Sequence, residues 1–525
     1  MKSYSSHVSK RQPTAQTVEV IGKAQVKNNA GGFVFAVTPE EQFKRFLILG
    51  SEGGTYYVGE HALTVENAKN AIAFIKSNGP RAVKLISEIS DEGRAPKNDP
   101  AIFALALACT YGDQATKNLA YQAVPTVCRI GTHIFHFCQA VQDLRGWSRG
   151  LRKAVARFYT TKQVKDVAYG MVKYRQRDNW THRDVLRLAH PEHPEMSDMF
   201  RYAVGKEVDL AKLPAIIAAY EEAKTCDTTR LIKLIKDFNL SREMVPTDKL
   251  NTVTVWEALL DKMPLTAMIR NLGKMTQLGI LKGNTEWTKR VVSTLSDREA
   301  LKKARIHPLG VLIALKTYGM GHGLKGDLAW TVTPQIVDAL DEALGLSFST
   351  VEATGKRFLL GLDVSGSMGS CIAGAPVSCC EASAVMALAT AKAEDDYTIM
   401  GFAGPSNFRE LGITKKTTFI DAAKRAHDNN FGSTDCSGAI LYALKHKLKV
   451  DVFAVYTDNE TYAGSIHPFQ ALQQYRKETG IRAKLVVAGM TSSGFTIADP
   501  SDSGMMDVVG FDTTAPAVIS EFARQ

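Results

Sequence analysis

Five oxygen-bearing side chains stand where three loops could bring them to one point. Asp363, Ser365 and Ser367 alternate in Asp363-Val-Ser-Gly-Ser-Met, so one carboxylate and two hydroxyls can converge. Thr434 lies in Phe431-Gly-Ser-Thr-Asp435, and Asp458 follows the apolar run 450–457. All five are hard oxygen donors, the set that holds a small hard divalent cation, Mg²⁺ foremost, while the ion keeps some of its water. Alone, Asp-x-Ser-x-Ser is as often a helix cap as a site. The threonine and the second aspartate, each at a loop position later in the chain, raise it above that. Hydroxyl-dominated ligation of one ion lacks the paired-metal carboxylates of a nuclease, so the chemistry indicated is binding, not hydrolysis.

The elements that must position these residues are legible around them. Apolar runs at 357–363, 397–402, 450–457 and 482–488 alternate with helical segments at 380–394, 418–427, 437–447 and 467–478. A strand at 507–511 and a helix at 515–523 complete the series. This is the βα alternation of a doubly wound, mostly parallel sheet, whose ligands sit beyond the carboxyl ends of the strands. The arrangement resembles the metal-ion-dependent adhesion site of a von Willebrand factor A domain. That resemblance implies direct ligation by Ser365, Ser367 and Thr434, ligation through water by Asp363 and Asp458, and one position open to a partner's carboxylate.

From about residue 40 to 345 the chain reads differently. Short amphipathic segments follow one another, among them 63–75, 99–108, 147–158, 165–174, 182–189, 213–224, 255–262 and 308–318. Helices of this length are marginal alone and must stack on neighbours, which suggests an α-solenoid of the HEAT kind, although no strict internal repeat is present. The expected division is a flexible start at 1–15, a helical module at 16–355 and an α/β domain at 356–525.

Charge follows the same division. The net charge is +10, yet residues 356–525 hold 16 Lys and Arg against 18 Asp and Glu, leaving 48 against 36 in residues 1–355. The basic excess belongs to the helical part, where it favours polyanions and makes their binding salt-dependent. Lys173, Arg175, Arg177, His182, Arg183 and Arg187 form a dense segment around Tyr174 and Trp180. Cations suit an RNA backbone and rings suit its bases, although the two aromatics are expected in the core. Arg149, Arg152 and Lys153 make a second cluster, and Lys162 and Lys165 a third. The eight cysteines lack paired spacing and read as reduced thiols. No apolar run spans a membrane and no signal-peptide core opens the chain, so an intracellular, cytoplasmic location is expected, nuclear as well in a eukaryote. No nucleophile elbow or phosphate-binding loop is present, and the Gly319-x-Gly-x-Gly run follows a helix rather than a strand, so no catalytic residues are assigned.

Several longer motifs occur in one order: residues 46–57, Val127-Cys-Arg-Ile130, Met171-Val-Lys-Tyr-Arg-Gln-Arg177, Trp180-Thr-His-Arg-Asp-Val-Leu-Arg-Leu-Ala-His190, Met263-Pro-Leu-Thr-Ala-Met-Ile-Arg-Asn-Leu-Gly-Lys-Met275, Ile306-His-Pro-Leu-Gly310 and Gly321-His-Gly-Leu-Lys-Gly326. Through them nearly the whole chain resembles the Ro autoantigen family, which joins a TROVE module of HEAT-like helices to a von Willebrand factor A domain. The resemblance implies a monomeric helical ring. Y-type noncoding RNAs would lie on its basic outer surface, and single-stranded 3′ ends of misfolded RNAs in its central hole. It also implies a role in RNA quality control, or as an adaptor for an exoribonuclease that meets the metal site. His182 matches a family histidine implicated in Y RNA binding. Arg270, Asn271 and Lys274 are the polar candidates on the 263–275 motif, whose Leu265, Met268, Ile269 and Leu272 fit a packing face. His322 and Lys325 are candidates in the Gly-rich turn. The alternative reading is a metal-dependent protein-adhesion scaffold in which RNA binding is secondary.

Overall fold

The computed structural model describes residues 13–50, 63–144, 146–324, 326–348, 353–430 and 432–525. Lys325 and residues 51–57 of the first family motif lie outside them, as do residues 1–12 of the expected flexible start. Two compact units result: residues 13–45 with 353–525, and residues 46–50 with 63–348.

Eleven strands occur among the described residues, in three sheets. β1 (Gln25–Lys27) and β2 (Phe33–Ala36) pair antiparallel. In the helical unit, β3 (Gln176–Arg177) and β4 (Trp180–Thr181) form a hairpin. The main sheet consists of β5 (Arg357–Asp363), β6 (Asp396–Phe402), β7 (Phe408–Arg409), β8 (Val452–Thr457), β9 (Lys484–Gly489) and β11 (Met505–Val509), while β10 (Phe495–Thr496) pairs with β2. Its order is β11-β9-β8-β5-β6-β7, parallel except at β7. From β5 the chain crosses to β6 on one side and to β8 on the other, so the strand order reverses at β5. That reversal opens a crevice at the carboxyl ends of β5 and β8, where Asp363 and Asp458 stand.

β5, β8 and β9 are buried nearly throughout, as expected of strands covered on both faces. Helices Cys379–Ala393, Phe419–Asp428, Gly438–Lys445, Pro468–Thr479 and Ala515–Arg524 match the sequence reading to within about two residues.

Residues 16–45, expected in the helical module, pack instead with the α/β domain. β2 joins β10, more than four hundred residues downstream, a partner no local pattern could supply. Arg45, fully buried, donates to both oxygens of Asp507 (2.7 and 2.6 Å) and to the Ser493 carbonyl (2.6 Å). Thr14, within the expected flexible start, donates its amide to Gln470 Oε1 at 3.1 Å.

The helical unit contains seventeen α-helices between Lys69 and Ser347 among the described residues. In the first part of the unit helices pack on the next but one (Gly79–Glu92 on Gln114–Val127, Asp99–Tyr111 on Gly131–Leu144, Gln114–Val127 on Arg149–Thr160), and in the later part mainly on their immediate neighbours, as Pro308–Met320 does on Pro334–Ser347. This produces the two layers of a HEAT-like solenoid. Helix Asp99–Tyr111 is enclosed, with residues 100–102 and 104–109 all buried. The run also closes on itself. Arg305, just after helix Arg298–Lys303, reaches Asp91 of helix Gly79–Glu92 at 2.8 Å, and the ring of His307 lies 3.1 Å from the Arg94 carbonyl.

Candidate functional site

The Asp363 loop and the Asp458 loop form one buried oxygen cluster. Asp363 Oδ1 accepts from the Ser365 amide (3.0 Å) and hydroxyl (2.6 Å), and its Oδ2 accepts from Thr457 Oγ1 (2.6 Å). Ser365 Oγ lies 3.1 Å from Ser367 Oγ. Asp458 Oδ1 accepts the Glu460 amide at 3.0 Å, whereas its Oδ2 is buried without a partner. The loop that carries Thr434 is stapled to the first: the Gly366 amide donates to the Gly432 carbonyl (3.0 Å), and Asn430 Nδ2 to the Ser365 carbonyl (2.6 Å). Asp363, Ser365, Ser367, Thr434 and Asp458 are all buried. Burial is the larger cause raising the pKa of Asp363, and the charge of Asp458 adds to it. Asp458 is raised by its own burial and by Glu460, against the Glu460 amide and the Ser367 hydroxyl. Two carboxylates are thus held close together, short of positive charge, inside a shell of hydroxyls.

The loop after Asp458 is clamped from residues 16–30, which sequence reasoning left out of the site. Gln16 donates to Asp435 Oδ1 (2.7 Å) and the Ile466 carbonyl (2.9 Å), and accepts from Thr461 Oγ1 (2.5 Å) and the Gly464 amide (3.1 Å). Asn28 Nδ2 donates to the carbonyls of Asn459 and Thr461, and Asn29 to Glu460. Their signal in the sequence is weak, a few polar residues in a stretch without periodicity.

In the helical unit the expected cations divide into three groups. Arg149, Arg152 and Lys153 are exposed on the outer side of helix Arg149–Thr160, and Arg183 and Arg187 on helix His182–Ala189; Lys165, Arg175 and Arg177 are exposed as well. Other candidates are engaged internally. Lys162 donates to the Arg129 carbonyl (2.9 Å) over the Phe158 ring, and its burial pulls its pKa down to about 8. Lys173 lies beside the rings of Tyr169 and Tyr174; Arg175, although exposed, also donates to Tyr220 Oη at 3.0 Å. Asn271 Nδ2 donates to the Ala267 carbonyl, and Lys274 to Asn251 and Gln277. His322 is exposed, with Nδ1 3.1 Å from the Gly323 carbonyl.

His182 is a correction. It is 6% exposed, 2.9 Å from Tyr159 Oη and edge-on to Phe135, so it is a core residue and not a surface ligand. Burial lowers its pKa to about 4. Its Nε2 has no partner, and with Lys162, Tyr159 and Tyr174 it lines a cavity of about 160 Å³.

The third group was not foreseen as one. Arg177 and Arg270, assigned by sequence to different regions, line a single cavity of about 500 Å³ beside the closure. Arg129, Arg305 and Lys97 line it too; Asp99 is the one carboxylate among the lining residues, and Arg305 is itself paired with Asp91. Arg129 is held by the Ser90 carbonyl (2.7 Å) and hydroxyl (2.8 Å), and burial together with Arg305 lowers its pKa. Arg129 is half-buried there, whereas Lys97, Arg177, Arg270 and Arg305 are exposed, so the cavity gathers positive charge around one partly desolvated arginine. Arg129 and Arg305 were missed because each lies in a connecting segment, Arg129 alone and Arg305 behind Lys302 and Lys303 at a helix end.

The family models match both units. A TROVE domain model covers residues 26–240 and 231–320, and a Ro60 vWA domain model covers 357–523. The chain belongs to the Ro60 family. It is 40% identical over 519 residues to the RNA-binding protein RO60 of Deinococcus radiodurans, 96% of each chain being covered. It is 36% identical to the RNA-binding protein RO60 of Caenorhabditis elegans, over 96% of this chain and 91% of that one. The crystal structure of the Deinococcus radiodurans Ro protein matches with a TM-score of 0.69 at 38% identity, across 93% of this chain and 99% of that one. The helical-ring-plus-A-domain architecture read from the sequence is thus the Ro60 family's. Among the described residues no helix is long and apolar enough to cross a membrane.

Proposed function

We propose that this Ro60-family chain binds RNA as the protein of a small ribonucleoprotein. Y-type noncoding RNA lies on the exposed cations of the helical unit, and the single-stranded 3′ end of a misfolded RNA enters the ring, for quality control or for delivery to an exoribonuclease. The observation that carries the reading is the cavity at the closure. Arginines 129, 177, 270 and 305 come from four separate parts of the chain; Asp99 is the one carboxylate in the lining, Asp91 pairs with Arg305 and Asp178 lies 3.7 Å from Arg177, so with Lys97 the cations still outnumber the carboxylates. A polyanion supplies the missing charge, and phosphate is the anion that arginine's fork fits best. Exposed Arg149, Arg152, Lys153, Arg183 and Arg187 suit the longer-range attraction to a structured RNA. The test compares one RNA stem with and without a single-stranded 3′ tail: the tailed form is expected to bind at least tenfold tighter. Equal binding removes the threading reading, and charge reversal at Arg129 and Arg270 without effect removes the cavity.

A second reading of the A domain accompanies the first. The unpartnered Asp458 Oδ2 and the hydroxyl shell of Ser365, Ser367 and Thr434 suit one Mg²⁺. These residues would hold the ion with Asp363, and the ion would offer its remaining position to a carboxylate of a protein partner. The function so assigned is adhesion. Asp363→Ala is expected to abolish Mg²⁺ binding by calorimetry and to release that partner while RNA stays bound.

A further inference from the structure

We infer that the paired indoles of Trp147 and Trp180 are a stacking platform for an unpaired nucleobase. This rests on the RNA-binding reading and adds to it a site for bases rather than phosphates. Sequence reasoning placed Trp180 in the core. Instead both rings are partly exposed, in contrast to the fully buried Trp256. Their centroids are 5.9 Å apart at 57°.

The rings are also held. Trp180 Nε1 donates to Gln139 Oε1 at 2.9 Å, and Trp147 Nε1 to Gln142 Oε1 at 2.8 Å, both on helix Gly131–Leu144. With each indole N–H satisfied along one edge, what the pair has left to offer is ring face. Trp180 follows the hairpin turn at Asp178 and Asn179, whose φ values of 50° and 64° are those of a type I′ turn. Such a turn fixes register, and Arg177 is the cross-strand partner of Trp180. The register sets Arg177, 60% exposed, opposite Trp180, and Arg149 lies two residues beyond Trp147 in the chain. The nearby carboxylates have partners: Asp178 pairs with His136 and lies 3.7 Å from Arg177, and Asp143 accepts from Gln139. A preset aromatic surface with an arginine at the opposing strand position suits a base together with its phosphate, and stacking of this kind tolerates any sequence.

The full chain is titrated with an RNA stem carrying a single-stranded tail, and with tails made abasic at one position at a time. Stacking on an aromatic residue is worth about 1–3 kcal/mol per base, roughly five- to 150-fold in affinity. The expected result is that one abasic position weakens the unmodified protein about tenfold. Trp180→Ala should lose a similar factor on the intact tail and no longer respond to that position, whereas Trp180→Phe should keep most of the affinity. Because Trp180 also anchors the hairpin, a second measurement uses the unmodified protein: a 5-iodouracil-containing tail is photocrosslinked, and Trp147 or Trp180 is the expected adduct. Adducts confined to other segments overturn the platform, as does an alanine variant that binds the intact tail normally. If an alanine variant loses a protein partner while RNA affinity stands, the pair is a protein contact and the inference fails. If the unmodified protein binds no RNA, the RNA-binding reading itself fails, a result distinguishable from failure of the platform alone.

Discussion

Asp458 has one oxygen satisfied and one buried without a partner, beside a second buried carboxylate. Burying charge without compensation is costly, so in metal-free protein this pair opposes folding of its own domain. Asp458→Asn removes one charge and keeps the shape. Its metal-free protein is expected to melt at the same temperature as the unmodified chain or higher. Only the unmodified chain should gain with Mg²⁺, by about 2.7 kcal/mol when the ion is at a hundred times its Kd. Calorimetric melts with Mg²⁺ and with EDTA check this; an equal Mg²⁺ response in both proteins removes Asp458 from the site. His182 poses the opposite problem, a group held neutral. Its pKa falls from 6.5 to about 4 on folding, so the unfolded chain takes up a proton first. Stability is therefore full above pH 6.5 and lost as pH falls toward 4, by roughly 3 kcal/mol from this residue. His133, lowered to about 3, acts in the same direction. Urea titrations of the unmodified chain and His182→Phe at pH 7.5 and 5 separate the two: the variant should lose less on acidification.

At the scale of elements, the segment 14–30 is a brace for the oxygen cluster rather than the beginning of the solenoid. Gln16→Ala strips Asp435 and the Thr461–Gly464 loop of buried hydrogen bonds, each unsatisfied group costing about 1–3 kcal/mol. Lower thermal stability and weaker Mg²⁺ binding are both expected, though Gln16 touches neither Asp363 nor Asp458; unaltered Mg²⁺ affinity would show that the brace does not set the loop. The α/β elements were legible in the sequence because parallel strands are short apolar runs, so the runs at 357–363 and 450–457 marked their own ends. β1 and β2 were not, since each is only three or four residues long and the strand that ties β2 to the A domain, β10, is remote in sequence. In the site, Asp363 and Asp458 were legible as the residues that end buried strands. His182 was misplaced although its spacing held the answer: with Val185, Leu186 and Ala189 it makes the i, i+3, i+4, i+7 stripe that helix His182–Ala189 buries. The cationic neighbours Arg183 and Arg187 belong to the other face. The cavity at the closure was beyond local reading, because its lining comes from helices, a hairpin and connections far apart in the chain, brought together when the run closes.

Over the whole molecule, charge and chemistry are divided between two units. Residues 1–355 hold the basic excess, and the oxygen cluster lies in the near-neutral remainder. The division predicts that the two activities respond to different variables. RNA binding that neutralises several phosphates must weaken steeply with salt, because each contact releases condensed counterions; six to ten contacts cost about a thousandfold or more between 50 and 200 mM. A single-stranded tail releases fewer ions per phosphate, so the tailed RNA should gain affinity over the blunt stem with only a modest increase in slope. Arg129→Glu with Arg270→Glu should flatten the slope of the tailed RNA and leave that of the blunt stem as it was, because the blunt stem reaches only the exposed cations. Asp363→Ala should leave both slopes unaltered. A circular single strand of the tail's sequence offers the same phosphates and bases without an end. If the closed helical run admits RNA by threading, the circle should bind many-fold more weakly than its linear form at every salt concentration. Equal affinities would mean that the strand is gripped from the side, and that the contact of Asp91 with Arg305 opens or is bypassed when RNA binds.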